Sequence, residues 1–235
     1  MSDGFAWAAV DRIEARCVPY DWPWARREAA FIARNWERRL ALGSVIFDGR
    51  VLLACGWRVA GGTCTVELFE TPYSHFLGHR DAGSPDRNVR NAFAAIVPRS
   101  ADGAILLGVM GGHTANAGQV YFPCGTPDRD DVDADGTVDL PGSAIREFAE
   151  ETGKTLPPDA PQSWTILEGE GQLALLRPVA FAETADALLA AMERHRAAEA
   201  EPELAGFLVA RSAEDVEDAR MPAFVRSYLA RAFGP

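Results

Sequence analysis

No apolar stretch in this chain approaches the ~20 residues that a membrane-spanning helix needs, and none of its four cysteines, Cys17, Cys55, Cys64 and Cys124, stands in a CxxC or other paired spacing. Membrane insertion and a disulfide framework are both set aside on these grounds. The opening Met-Ser-Asp-Gly lacks the basic segment and long apolar run of an export signal, so reduced thiols in the cytoplasm are expected. Positive charge is short as well: 23 Lys and Arg against 34 Asp and Glu give a net charge of -11. With no basic stripe, long-range attraction to a nucleic-acid backbone has the wrong sign. There is no internal repeat and no low-complexity tract. What remains is a globular chain of 235 residues, 48% hydrophobic and 24% charged, with room for one large domain or two small ones.

Within it, Arg146-Glu147-Phe148-Ala149-Glu150-Glu151-Thr152-Gly153 carries the most information. At roughly 100° per residue, Glu147, Glu150 and Glu151 fall within about 100° of one another, with Ile145, Phe148, Ala149 and Thr152 on the opposite side. A helix over 143–152 is predicted, with Ser143 capping its first turn and Gly153 supplying the left-handed residue at its end. Three carboxylates on one helical face are a ready source of the oxygen ligands that Mg2+ or Mn2+ takes. Pyrophosphate chemistry needs such cations, because the substrate's negative charge otherwise repels an attacking water. The plain alternative is a solvated helix face laced by Arg-Glu pairs.

The string resembles the Nudix box, Arg-Glu-aliphatic-x-Glu-Glu-x-Gly-aliphatic, and the glycine loop that precedes that box is matched by Phe122-Pro123-Cys124-Gly125. The resemblance implies that Glu150 and Glu151 are metal ligands, that Glu147 is a further ligand or the base that activates water, and that Arg146 orients Glu147. It also implies a backbone carbonyl of the Cys124-Gly125 turn as a ligand, and a mixed sheet sandwiched between helices as the fold. The match departs from the pattern in three places. The stretch from Gly125 to Arg146 is seven residues longer than the family's, Val138 stands where a mid-box glutamate belongs with Asp139 beside it, and Lys154 replaces the closing aliphatic residue.

A second motif overlaps the first. Asp131-Val-Asp133-Ala-Asp135-Gly136-Thr-Val138-Asp139 fits the first nine positions of an EF-hand calcium loop, but its twelfth is Gly142 rather than glutamate, and Pro123, Gly125 and Pro127 disfavour an entering helix. The loop reads either as a calcium site of a non-enzymatic regulatory module or as an exposed acidic insertion. In a third reading, Asp139 takes over the missing glutamate's role. On the substrate side, the small polar loop 111–119 offers His113 and Asn116 to a ligand. Many Nudix enzymes bring a further carboxylate to the metals from the loop that holds Glu201 and Glu203 here. Arg80 and Arg90 are either phosphate contacts or surface ion pairs. His75 and His79 share a helical face suited to zinc but lack a third ligand.

Element signals run as a helix over 23–42 after a strand near 13–18, then strands at 45–47, 51–59 and 64–69, a helix at 73–80, and a linker at 81–86. Further strands are expected at 93–97, 104–109, 120–122, 164–167, 172–178 and 206–210. Helices at 143–152, 184–198 and 222–233 complete the pattern. The class is α/β (α+β): residues 1–85 form an additional N-terminal β-rich region, and residues 86–235 a Nudix-like catalytic domain. The N-terminal region is assigned to substrate binding or to pairing of two copies, since a homodimer is allowed. The function expected is divalent-metal-dependent hydrolysis of a small-molecule nucleoside diphosphate derivative, such as a nucleotide sugar, with no nucleic-acid or membrane partner.

Overall fold

The computed structural model of the chain describes residues 4–42, 46–217 and 219–234. In chain order the elements are β1 (Ala6–Val10), β2 (Arg12–Cys17), α1 (Pro23–Arg27), α2 (Ala29–Ala41), β3 (Arg50–Ala60), β4 (Thr63–Pro72), α3 (Tyr73–Asp81), β5 (Asn91–Arg99), β6 (Ile105–Met110), β7 (Val120–Tyr121), α4 (Leu140–Thr152), β8 (Trp164–Gly169), β9 (Gln172–Ala180), α5 (Ala185–Ala198), β10 (Leu204–Ala210) and α6 (Ala223–Phe233). The class is mixed α/β. A large sheet has the order β1-β8-β9-β5-β6-β10, with β7 also on β6, and a small one has the order β2-β4-β3. The β5–β9 and β2–β4 pairs are parallel, and the other pairs are antiparallel.

Period-two alternation explains how the layers assemble. On β5, Ala92, Ala94 and Ile96 face one apolar cluster and Phe93, Ala95 and Val97 face another, because successive side chains leave a strand on opposite sides. The first cluster packs the large sheet against α4, α5 and the inner face of the small sheet, through Phe148, Leu188, Leu68 and Val66. The second closes the opposite face with α6, through Phe224, Val225 and Leu229. A third joins the outer face of the small sheet to α1, α2 and α3 through Trp22, Trp24, Ile32 and Leu77. No described helix is long and apolar enough to cross a membrane, and all four cysteines are free thiols.

Several expectations shift. The 23–42 helix is two helices, because Glu28 leaves helical geometry at φ -98 and ψ 15. Of the strand expected at 45–47, Val45 lies outside the described residues, and Ile46 and Phe47 are in no strand. After them, Asp48 accepts from Ser74 N at 2.7 Å and Ser74 Oγ at 2.9 Å, fixing the start of α3. The alanine-rich β1 carries little strand propensity and is not among the expected strands. It exists through its pairing with β8, and Asp11 marks the point where the chain passes from the large sheet to the small one.

Candidate active site

Helix α4 presents the three glutamates. It starts three residues earlier than expected: the N-cap is Asp139, whose side chain accepts from Gly142 N at 2.9 Å, with Pro141 in the first turn, where its missing N–H costs nothing. Ser143 is therefore not the cap; it is buried inside the helix and accepts a 3.4 Å contact from Arg146. The other end closes as expected on Gly153, at φ 66. His195 of α5 packs so tightly over Gly153 that a Cβ there would lie 2.5 Å from its ring. Its Nε2 donates to the Glu150 carbonyl at 2.8 Å, satisfying one of the orphan carbonyls of the last turn.

The packed face is rotated relative to the expected one. Leu140, Ala144, Phe148 and Thr152 are buried, whereas Ile145 is 37% exposed and Glu151 only 7% exposed. The glutamates thus grade from exposed Glu150 through half-buried Glu147 to buried Glu151. Glu151 Oε2 has no hydrogen-bond partner among the described residues. Burial, and then the charges of Glu203, Glu147 and Glu150, push its carboxyl up to about 9 from the ordinary 4.5. Glu147 is raised too, first by burial, with Glu150 and Glu203 adding and Arg146 opposing.

The upstream turn meets this helix. A Cβ on Gly125 would lie 2.7 Å from the Glu147 carboxyl carbon, so only glycine admits the carboxylate at that distance. The Cys124 thiol is raised well above its usual value by burial and by the charges of Glu151, Glu147 and Glu203. Glu203 is exposed as a residue, and its carboxyl is raised by burial and by Glu150 while His113 opposes; solvent screens it more than Glu151. Glu201 is exposed and makes no hydrogen bond or ion pair among the described residues. His113 folds over Gly111, whose N–H donates to the Glu203 carbonyl at 2.8 Å. Asn116 bridges Arg80 and Tyr121: its Oδ1 accepts from Arg80 Nη1 at 2.9 Å and its Nδ2 donates to the Tyr121 hydroxyl at 3.2 Å.

The acidic insertion serves other ends. Asp131 is buried, its side chain 2% exposed, and accepts from Arg146 Nη2 at 3.0 Å, so the main partner of Arg146 is Asp131. Glu147 takes only a 3.4 Å contact from the same nitrogen. Asp131 also accepts from Asp128 N, Asp135 caps its own turn at Thr137 N, and Asp133 N donates to Thr137 O at 2.8 Å in a tight hairpin. Only a single 3₁₀ turn, Arg129–Asp131, precedes it. The EF-hand spacing is thus spent on an ion pair, a turn and a helix cap. Asp139, in particular, is that cap rather than a stand-in for a box glutamate.

The remaining candidates have structural partners. Arg90 is buried, donates twice to Glu168 Oε1 at 3.0 and 2.9 Å, and lies over Trp57. His79 is buried between Trp22 and Trp24 and accepts from Asp86 N at 3.1 Å, while His75 meets Thr71 at 3.4 Å; neither is arranged for zinc.

Among the described residues, no three His, Cys, Asp or Glu side chains converge tightly enough to hold a cation as they stand. A bound positive ion would favour closer approach of anionic carboxylates. The donor set fits a hard divalent ion: all-oxygen, anionic, with one buried carboxylate oxygen left unpaired. Beside the turn, a cavity of about 850 Å³ is lined by Cys124, Gly125, Tyr121, Asn116 and Arg80, within the size range of small-molecule sites.

Comparison with known proteins gives no matching family model and no matching curated protein. Solved structures that align include a MutT protein from Methanosarcina mazei, at 18% identity and TM-score 0.38, covering 61% of this chain and 94% of that one. A pyrophosphohydrolase of Bacillus subtilis, BsRppH, aligns at 13% identity and TM-score 0.36, covering 59% of this chain and 76% of that one.

Proposed function

We propose that this chain is a Nudix-type hydrolase that cleaves a nucleoside diphosphate linked to a further group, a nucleotide sugar being the first candidate, with Mg2+ or Mn2+ as cofactor. The observation that carries the reading is the buried, unpaired carboxylate oxygen of Glu151 beside Glu147, which is itself seated on Gly125. A bound divalent cation would neutralise phosphate charge and bring a water toward its hydroxide form at neutral pH.

The residues divide the remaining work. Glu151, Glu150 and the Cys124-Gly125 carbonyls supply oxygen donors, with Glu203 entering from the neighbouring loop. Glu147, half-buried and with its pKa raised, is suited to take the proton of the attacking water. Arg146 is a positioning residue that ties α4 to Asp131 at 3.0 Å and so fixes the insertion against the helix. His195 holds the helix's last turn. The N-terminal region, with its own sheet and helices, brings Arg80 to the cavity, in keeping with a substrate larger than a free nucleotide.

The test is Glu151→Gln assayed with Mg2+ against nucleotide sugars, dinucleotides and coenzymes. The reading expects release of a nucleoside monophosphate by the wild type and a loss of about 10²- to 10⁴-fold in the variant, as for several kcal/mol of metal-borne charge stabilisation, with the fold retained. Undiminished hydrolysis by Glu151→Gln, or inactivity of the wild type on the whole panel, refutes it.

A further inference from the structure

The cavity beside the Cys124-Gly125 turn carries charge opposite to that of the protein. The chain has a net charge of -11, yet the described residues lining the cavity include Arg39, Arg80, Arg220 and Arg226 against only Asp81 and Glu170. Arg39 is committed, since it meets both oxygens of Asp81 at 2.6 Å. Arg80 is not: among the described residues no carboxylate lies within ion-pair distance of it. Its hydrogen bond goes instead to the neutral amide of Asn116, at 2.9 Å, and its guanidinium lies over the Phe76 ring at 5.5 Å. Desolvation is the largest influence on this group and lowers its pKa. Asp81 offsets part of this through space, but a desolvated guanidinium with no direct ion pair is costly in a folded chain, and its cost is relieved when an anion enters.

Asn91 also lines the cavity, and its buried Oδ1 has no hydrogen-bond partner among the described residues. Arg80 donates to the Asn116 amide, which is itself held by the Tyr121 hydroxyl, and this restrains the guanidinium before a ligand arrives.

Building on the pyrophosphohydrolase reading, we propose that Arg80 is the anion-recognition residue of this cavity, contacting a phosphate of the bound diphosphate ester where the substrate leaves the glutamate cluster across Gly125. Arg80 belongs to α3, outside the box-bearing segment, so this assigns the N-terminal region a direct part in substrate binding. A guanidinium offers phosphate a planar, two-pronged donor set that a point charge does not. Asn116 is then a positioning residue, acting through Arg80.

The test is calorimetric binding of α,β-methylene-ADP, whose bridging carbon resists hydrolysis, in Mg2+ buffer to the wild type, Arg80→Gln and Arg80→Lys. Gln keeps a donor for Asn116 while removing the charge, and matched thermal melts verify folding; should Gln fail to fold, Lys alone decides. The proposal expects Kd to rise about 10- to 100-fold in Arg80→Gln, as for loss of one charge-assisted hydrogen bond, with Arg80→Lys between it and the wild type. Unchanged affinity in a folded Arg80 variant overturns it, as does absence of wild-type binding at millimolar ligand. Because binding is read without turnover, the two readings fail separately. Arg80-dependent binding with no hydrolysis by the wild type would sink the enzyme and keep the anion site, whereas hydrolysis abolished by Glu151→Gln with Arg80-independent binding would do the reverse.

Discussion

In metal-free protein at pH 8, Glu151→Gln should melt higher than the wild type, and the advantage should disappear as the pH falls toward 4.5. Folding carries the Glu151 carboxyl from 4.5 to about 9. Between those values the native state keeps a proton that the unfolded chain has released, so stability is complete below 4.5 and is lost as pH rises toward 9. At ~1.4 kcal/mol per unit, the 3.5 units from pH 4.5 to 8 set a ceiling of roughly 5 kcal/mol. Water entry and movement of Glu147, Glu150 and Glu203 reduce the realised figure to about 1–2 kcal/mol, or ~3–6 °C for a chain of this size. Glutamine does not titrate and reproduces the protonated acid in shape, so this contribution is flat in the variant. Melts in EDTA at pH 5, 6.5 and 8 read the effect directly. Mn2+ should reverse the order: at a hundred times its Kd it stabilises the wild type by ~2.7 kcal/mol and the variant by less. Parallel melting curves for the two proteins across the pH range, or a variant that melts below the wild type at pH 8 in EDTA, would refute the assignment of Glu151 as a buried carboxylate awaiting a cation.

Other perturbations separate the site from its scaffold. Gly125→Ala puts a Cβ 2.7 Å from the Glu147 carboxyl carbon; a forced shift of about 1 Å should cost ~10²-fold in kcat, while the melting temperature stays close to that of the wild type. Arg146→Ala strips the charge partner from Asp131, whose side chain is 2% exposed. Since Arg146 itself is 46% exposed, denaturant titration should show a loss of roughly 1–2 kcal/mol, less than for a fully buried pair. Asp139→Ala should lower stability by about 1 kcal/mol through the lost N-cap and leave Mn2+ affinity unchanged; weaker Mn2+ binding would return Asp139 to the ligand set.

Local signals were legible wherever the physics is local. The αL residue at Gly153, the extent of α5 and the alternating strands from β5 to β10 are legible, because each depends on its own few residues. Misreadings arose where a tertiary partner decides the outcome. Asp131, Asp133, Asp135 and Asp139 carry one spacing, and that spacing is equally compatible with a calcium loop. What separates them is Arg146 reaching back 15 residues and a helix start that needs Asp139 as its cap. Likewise the 3.6-residue period orders Glu147, Glu150 and Glu151 around α4 but leaves open which flank meets the core. The packing of Phe148 against Phe181, at 5.9 Å, and of His195 over Gly153 turns Glu151 inward and Ile145 outward. That rotation distinguishes three similar carboxylates chemically: burial strips water from one of them and leaves another solvated. A difference of this kind resides in no single residue type, because it is a property of the sheet and helices on which α4 rests.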